Sequence, residues 1–449
     1  MKKFIPQSVR NIYHLAQAVA ANVRYGFPSR KIKVIGITGT NGKTTTCQMI
    51  AKILEESGAR VAMVSTINFK LGDVEWVNAT KFTTVSAFDT QKFIASAVKA
   101  GCEYLVLETS SHSLDQYRVW GVKYDTAVIT NVTREHLDYH ATMDEYQKAK
   151  AKLFENAKTA IVNLDMDRPE DFLNYGAGRI YGYSAKNQNV NLTLPTGRQE
   201  MQSDNAKLKI INAKNIKLGM DGSEFEVHRS KTGAQLLELQ KLSSCFKLNL
   251  PGLFNIENAL AAISVGISEK IDLPIIKKAL EKITKVSGRM DEVENKLGLK
   301  IIIDYAVTPD SMEKLGELIS GQKTASQSLI WVFGSCGERD RGKRPIMGEI
   351  VAKYADYAIV TNEDPYGEDP QAIIDAVFVG VLKKKKLKEN KNCWRILDRK
   401  EAIGAALKIA KAGDIILVTG KGAEEIMAVG KKRIPWNDRM VIEEELKKV

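Results

Sequence analysis

Hydrophobic and polar positions follow two periods along this chain. Short apolar runs rich in β-branched residues, at 33–37 (KVIGI), 60–66, 103–109 (EYLVLET), 124–130 and 160–163, read as buried strands. Between them apolar residues recur at helical spacing. Met49, Ile50, Ile53 and Leu54 follow Thr44, a second helix is predicted over 89–100 and closed by Gly101, and a third over 143–157. This alternation predicts a mostly parallel sheet with helices on both faces. From about 187 to 246 the period shifts to short alternating runs, AKLKIINA and SEFEVHR, which predict a small antiparallel β insertion. PGLFNIENALAAISVGI (251–267) reads as a loop and an apolar helix. A second α/β series begins near Gly288, with strands expected at 300–304, 328–333, 356–361 and 414–418.

The first strand runs into GTNGKTTT, from Gly39 to Thr46, and a helix follows. Glycines let several backbone N–H groups turn toward one anion, and the helix start adds its free N–H groups and positive dipole end. Lys43 is placed to reach the outer phosphates, and the Thr44 hydroxyl to hold Mg²⁺. Relative to the standard pattern G-x-x-x-x-G-K-[ST], Gly36 lies one residue too far away and Ile37 occupies the first glycine position. The core Gly39-x-x-Gly42-Lys43-Thr44 is intact between a strand and a helix. The predicted fold class is α/β. A central P-loop ATPase domain (32–287) has a mostly parallel sheet and the small β insertion, and a C-terminal Rossmann-like α/β domain (288–449) follows. Residues 1–31 read as a short N-terminal helix and linker.

Composition changes little. The formal net charge of +12 over 449 residues permits nucleic-acid binding, but no aromatic residues interleave with the basic ones as in single-strand binders. Much of the excess sits in runs such as Lys383 to Lys386, which read as solvated. The cysteines, Cys47, Cys102, Cys245, Cys336 and Cys393, form no C-x-x-C pair. That argues for a reducing compartment and against structural zinc. No apolar run is long enough to span a bilayer, and the N-terminus lacks a signal-peptide core. A cytoplasmic protein is expected, without nucleic-acid partner or membrane span.

Several strand ends carry candidate chemistry. Glu108 closes a strand beside the phosphate loop, where a carboxylate suits either a Mg²⁺ site or a capped strand end. His136 and His140 lie in TREHLDYH after the next strand, as metal-site candidates or as structural histidines. Lys150 is four residues beyond Tyr146 and borders apolar positions, yet residue physics alone reads it as solvated. In the second unit FGSCGERDRGKRPIMG (333–348), with its glycines and basic side chains, reads as an anion or carboxylate receiver. TNEDPYGEDP (361–370) and TGKGAEE (419–425) follow later strands.

Taken together, GITGTNGKTTT, LETSSHSLDQYRVWGVKYDTAVITNVTREHLDYHATMDEY, LPGLFNIENALAA, VSGRMDEV, DYAVTPDS, FGSCGERDRGKRPIMG and TGKGAEE resemble the Mur ligase family, most of all its branch that adds the third residue of the peptidoglycan stem. The resemblance implies an ATP- and Mg²⁺-dependent amide ligase. A carboxylate of UDP-N-acetylmuramoyl-dipeptide becomes an acyl phosphate, and an amino acid's amine displaces phosphate. It implies catalytic roles for Lys43, Glu108, His136 and Lys150. The nucleotide falls to Gly39, Thr40, Asn41, Gly42, Lys43, Thr44, Thr45, Asn255, Asn258 and Arg289. Thr44, Glu108, His136 and Lys150 serve the metals, Lys150 as a carbamate. Thr83, Thr84, Ser110, Gln116 and Arg118 match positions that hold the muramyl-peptide. Arg339, Asp364, Gly420 and Glu424 match positions that receive the added amino acid.

Three departures qualify what the resemblance implies. The family carries an N-terminal domain, on the order of a hundred residues, that grips UDP. Roughly thirty residues precede the first strand here, so UDP is held weakly, held by a partner chain in place of that domain, or not required; otherwise a monomer is expected. Glu363-Asp364-Pro365-Tyr366 stands where diaminopimelate enzymes carry Asp-Asn-Pro-Arg. Without that arginine, diaminopimelate is doubtful, and lysine, ornithine or another amino acid is open. Val307 and Ala423 each replace a family histidine. Two other readings stand beside the ligase. One is a Mur-like ligase using a non-UDP peptide or γ-glutamyl acceptor; the other is a non-catalytic nucleotide-binding subunit.

Overall fold

A computed structural model describes residues 6–78, 80, 83–186, 208–231, 240–384 and 386–449. The chain divides into two compact units, Met1–Val132 with Thr142–Thr284, and Thr133–Ala141 with Lys285–Val449. In chain order, the elements up to the first strand of the second unit's sheet are α1 (Gln7–Tyr25), β1 (Lys33–Thr38), α2 (Lys43–Glu56), β2 (Val61–Val64), β3 (Asn68–Leu71), β4 (Val74–Val77), α3 (Ala87–Lys99), β5 (Tyr104–Glu108), α4 (Ser111–Asp115), β6 (Thr126–Ile129), α5 (Leu137–His140, in the second unit), α6 (Met143–Ala151), β7 (Thr159–Asn163), β8 (Arg179–Ser184), β9 (Leu208–Leu218), β10 (Ser223–Lys231), β11 (Gln240–Leu248), α7 (Leu253–Ser268) and α8 (Leu273–Glu281). The second unit continues with β12 (Asp291–Val293), β13 (Lys300–Asp304), α9 (Pro309–Gln322), β14 (Leu329–Phe333), α10 (Lys343–Tyr354), β15 (Tyr357–Thr361), α11 (Pro370–Leu382), β16 (Cys393–Ile396), α12 (Arg399–Ile409), β17 (Ile415–Thr419), β18 (Ile426–Val429), β19 (Lys432–Pro435) and α13 (Asp438–Leu446).

The first unit is built on one sheet in the order β11-β10-β9-β8-β7-β6-β1-β5-β2-β3-β4. From β9 to β2 neighbouring strands are parallel, and antiparallel strands extend the sheet at either edge. The described part of the expected β insertion, β9 to β11, is therefore continuous with the main sheet. The rest of it, 187–207 and 232–239, lies outside the described residues. After β1 the chain moves to β2 and β5 on one side and then to β6 on the other. The carboxyl end of β1 is thus a switch point, where open α/β sheets bind ligands. β1 is buried beyond its first residue. α7 packs on both α2 and the sheet strands β7 to β9. That explains a helix apolar on nearly every side, since it touches protein all round. α1 docks through Ala18 and Ala21 against Ala87, and Asn22 Nδ2 donates to Trp120 O at 2.8 Å.

The second unit has its own sheet, β12-β13-β17-β14-β15-β16, parallel except for β12. β18 and β19 form a separate antiparallel hairpin. Among the described residues no helix is long and apolar enough to cross a membrane.

Candidate active site

In the first unit the loop after β1 is held against β6 and α7. Gly39 has φ 149° and Gly42 φ 82°, both in the region that favours glycine. A Cβ on Gly39 would lie 1.8 Å from Thr130 Oγ1, and one on Gly42 2.2 Å from Asn258 Oδ1. Gly36 is different: it lies inside β1, where a Cβ would meet the Tyr124 ring at 2.5 Å. It serves packing, and its offset from the standard motif has no bearing on the turn. The loop backbone is tied on one side to Asn131. The Thr40 N–H donates to Asn131 O, and the Asn41 N–H to Asn131 Oδ1, each at 2.9 Å. Thr130 Oγ1 donates to Asn41 O at 2.6 Å. On the other side Thr46 Oγ1 donates to Asn258 Oδ1 at 3.2 Å, and Asn258 Nδ2 to Asn255 Oδ1 at 3.3 Å. Asn255 and Asn258 therefore brace the turn from the first turns of α7. Lys43 Nζ donates to Thr40 O at 2.9 Å, curled over the same turn, while Thr44 and Thr45 are buried at the start of α2.

The register of β1 on β5 pairs Ile37 with Glu108, which brings that carboxylate to the mouth of the loop. Thr44 Oγ1 donates to Glu108 Oε2 at 2.9 Å, the Thr66 N–H to the same oxygen at 2.8 Å, and Thr66 Oγ1 to Oε1 at 2.8 Å. Mg²⁺ is commonly held by one or two carboxylates together with substrate phosphates, and a carboxylate bonded to the helix-start threonine fits that chemistry. The residues matched to the muramyl-peptide gather at this strand end. Thr83 Oγ1 accepts from Thr66 Oγ1 at 3.0 Å. Thr84 Oγ1 accepts from the Ser110 N–H at 3.1 Å and donates to Glu108 O at 3.2 Å. Arg118 Nη1 donates to Thr84 O at 2.6 Å. Gln116 caps α4 just beyond. Residue reasoning missed Thr66, Thr130 and Asn131, because their roles come from strands distant in sequence.

Lys150 overturns the solvated reading that residue physics favours: it is 1 % exposed, its ammonium 4.2 Å from the centre of the Tyr146 ring. Tyr146 Oη lies 3.2 Å from Thr40 Oγ1, so the buried lysine is linked to the phosphate loop through one aromatic side chain. A helix shorter than expected carries it. α6 stops at Ala151, and the chain tightens into turns, with Leu153 N–H donating to Lys150 O and Phe154 N–H to Ala151 O.

The second unit takes in the segment bearing His136. His136 has φ 57° at the start of α5. Glu135 accepts from the buried Lys343 Nζ at 2.9 Å, and Lys343 also donates to Val307 O at 2.9 Å. Arg134 pairs with Asp340 at 3.5 Å. His140 is buried against Tyr139, ring centres 4.7 Å apart. Three basic side chains of the loop expected to receive an anion are paired within the fold. Lys343 is engaged by Glu135, and Arg344 and Arg341 by Glu368 at 3.0 and 3.1 Å. Arg339 has no ion-pair carboxylate among the described residues.

Loops after β14, β15 and β17 are joined on this sheet. The Gly337 N–H donates to Asp364 O at 2.8 Å, and Cys336 Sγ to Glu363 Oε1 at 2.8 Å. Burial, then the neighbouring Glu363 and Asp364 charges, pushes the Cys336 thiol far above the usual range. Burial also raises the Glu363 carboxyl. Asp364 accepts from Lys421 Nζ at 3.0 Å and from the Ala428 N–H at 2.7 Å. Glu424 accepts from Tyr305 Oη at 3.2 Å and pairs with Lys421. The Arg289 guanidinium lies 4.5 Å from the centre of the Tyr305 ring. Gly420 has φ 115°, and a Cβ there would meet Glu363 Oε2 at 2.7 Å. Beneath these loops Arg399, buried, pairs with Asp438 at 2.7 Å and donates to Thr419 O at 2.9 Å, a support that no local motif signals.

The chain matches the Mur ligase middle domain over residues 37–266 and the Mur ligase glutamate ligase domain over 288–422. It is 36% identical over 437 residues to a UDP-N-acetylmuramoyl-L-alanyl-D-glutamate–2,6-diaminopimelate ligase of Syntrophomonas wolfei, covering 96% of this chain and 82% of the relative. It is 34% identical over 439 residues to a UDP-N-acetylmuramyl-tripeptide synthetase of Roseiflexus sp. strain RS-1, covering 94% and 80%. A solved diaminopimelate ligase of the same description superposes with a TM-score of 0.57 at 28% identity, covering 93% of this chain and 78% of that one. With both domains matched in order over the two units' glycine loops and strand ends, the chain belongs to the Mur ligase family of ATP-dependent ligases.

Proposed function

We propose that this chain joins an amino acid to the D-glutamyl carboxylate of UDP-N-acetylmuramoyl-L-alanyl-D-glutamate, in the cytoplasm, during peptidoglycan precursor synthesis. The observation that carries the proposal is the Thr44–Glu108 bond at the glycine turn, with the muramyl-peptide candidates linked to Glu108, Thr83 through Thr66 Oγ1, and Thr84 and Ser110 through the Glu108 backbone carbonyl. Phosphoryl transfer requires mainly positioning and cations. Gly39 to Thr45 cradle the triphosphate of ATP, with Lys43 on its outer phosphates. Thr44, Glu108 and a carbamylated Lys150 would hold Mg²⁺, which would supply neutralisation of phosphate charge. A carbamate turns the ammonium into an anion, which gives the burial of Lys150 beside this loop a chemical purpose. Asn255 and Asn258 fix the turn, and Thr83, Thr84, Ser110, Gln116 and Arg118 orient the acceptor. In the second unit the proposal assigns His136 to metal, Arg289 to nucleotide, and Arg339, Asp364, Gly420 and Glu424 to the amino acid. The functional domains are then 32–287 and 288–449, preceded by the 1–31 segment.

The acceptor carboxylate attacks the γ-phosphorus, ADP leaves, and an acyl phosphate forms. The amine then attacks the acyl carbon, the C–O bond to phosphate breaks, and the amine's proton passes to solvent. The test is ADP and phosphate release with acceptor and a mixed amino-acid pool, the product identified by mass. Release that needs both UDP-dipeptide and an amino acid is expected. Turnover confined to acceptors lacking UDP would transfer the activity to a different acceptor class, and none with any acceptor would leave a nucleotide-binding subunit.

A further inference from the structure

The loop Glu363 to Tyr366 lacks the arginine that the resemblance associates with a second substrate carboxylate. The fold brings other guanidinium groups to that position. Tyr366, at φ 50°, is pinned to the β18–β19 hairpin: its N–H donates to Ala428 O at 3.1 Å, and its carbonyl accepts from the Gly430 N–H. On the neighbouring strand Arg433 pairs in register with Ala428. The Arg433 guanidinium carbon lies 5.5 Å from the centre of the Tyr366 ring, and so does that of Arg339 from the glycine-rich loop. Among the described residues their side-chain hydrogen bonds run to neighbouring carbonyls, Arg433 Nη1 to Lys432 O and Arg339 Nη1 to Glu338 O.

Of the surrounding carboxylates, Asp138 is near enough for its charge to act on Arg339 without forming an ion pair, and the others are engaged elsewhere. Asp364 is held by Lys421 and Ala428, Glu424 by Lys421 and Tyr305, Glu363 by Cys336, and Glu368 by Arg341 and Arg344. Among the described residues neither Arg339 nor Arg433 forms an ion pair with a carboxylate. Two cations sharing one ring repel each other until an anion joins them. An arginine stacked on an aromatic ring keeps its N–H edge for such an anion, and two edges suit the two oxygens of a carboxylate.

We propose that Arg433, together with Arg339, receives a carboxylate at the far end of the added amino acid. The selectivity missing from the loop is then supplied by the hairpin. The substrate class is an amino acid whose side chain ends in a carboxylate, and a side chain ending in an ammonium is repelled by the same pair. This assignment rests on the ligase reading above and names the amino acid that reading leaves open. It reverses the sequence-based doubt about diaminopimelate.

The experiment measures steady-state turnover with saturating ATP and UDP-dipeptide, using meso-diaminopimelate and L-lysine as probes. Wild type, Arg433→Met and Arg433→Lys are compared. Arg433 is exposed on a hairpin, so both variants are expected to fold. Wild type should favour diaminopimelate. Arg433→Met should raise its KM about ten- to a hundredfold with kcat changed far less, and Arg433→Lys should fall between. Selectivity for diaminopimelate over lysine should drop in the same order. A wild type that prefers lysine, or an Arg433→Met KM equal to wild type, overturns this assignment while leaving the ligase intact. Absence of turnover with every amino acid overturns the ligase reading and this assignment with it.

Discussion

Lys150 and Gly42 show what single residues demand of this fold. A buried ammonium in contact with a tyrosine ring costs several kcal/mol of desolvation unless its charge is compensated. In the proposed function a carbamate on Lys150 would compensate that cost and supply a metal ligand beside the phosphate loop. Lys150→Ala should therefore lower kcat by about a hundredfold or more, with partial rescue by added short carboxylic acids. Wild-type rates in that variant would remove Lys150 from the mechanism. Gly42 meets a separate demand. Its φ of 82° and its closeness to Asn258 leave no easy place for a Cβ. Gly42→Ala should destabilise the first unit by about 1–2 kcal/mol in chemical denaturation and weaken ATP binding, because the turn must shift off α7. Unchanged ATP affinity would mean that the turn's shape does not govern nucleotide binding.

At the scale of elements, the second unit's loops are held by ion pairs rather than by regular structure. Glu368 bonds Arg344 and Arg341 and accepts the Glu338 N–H, fixing the glycine-rich loop. The Arg344 hydrogen bond, foremost, holds the Glu368 carboxyl below its usual 4.5. A depressed folded-state pKa gives stability that is present above pH 4.5 and lost as pH falls through the lower folded value. Glu368→Gln should therefore lower the thermal midpoint at pH 7, and the gap to wild type should close on acidification below 4.5. A gap that stays constant with pH would rule out the ion pair as its cause. Such ties were not legible in the sequence. Glu135 and Lys343 are 208 residues apart, and no local pattern announces their pairing. The strands were legible wherever they are buried. KIIID at β13 was predicted with its observed bounds because its β-branched run has no other explanation. β4 and β19 are four residues long and exposed throughout, too short for an apolar period to stand out, so the hairpins they belong to were missed. Of the candidate site, the glycine turn and Lys43 were readable from a strand-turn-helix signature, and Glu108 from its place at a strand's end. Thr66, Asn131 and Arg433 were not, since only sheet order and hairpin register bring them into place.

For the whole molecule, a basic charge need not signal nucleic acid. Lys383 and Lys386, from the most basic run, bond Glu349 and Asp356 at the surface. The two family domains follow one another as in the relatives, and the account reduces to one reaction: activation of an acid by phosphoryl transfer, then capture by an amine. Its most direct test uses UDP-dipeptide labelled with ¹⁸O in the D-glutamyl carboxylate, followed by mass analysis of the phosphate released during turnover. The account predicts one ¹⁸O in each phosphate, because the oxygen bridging carbon and phosphorus leaves with phosphorus when the amine attacks. Unlabelled phosphate, released while amide product accumulates, would contradict it.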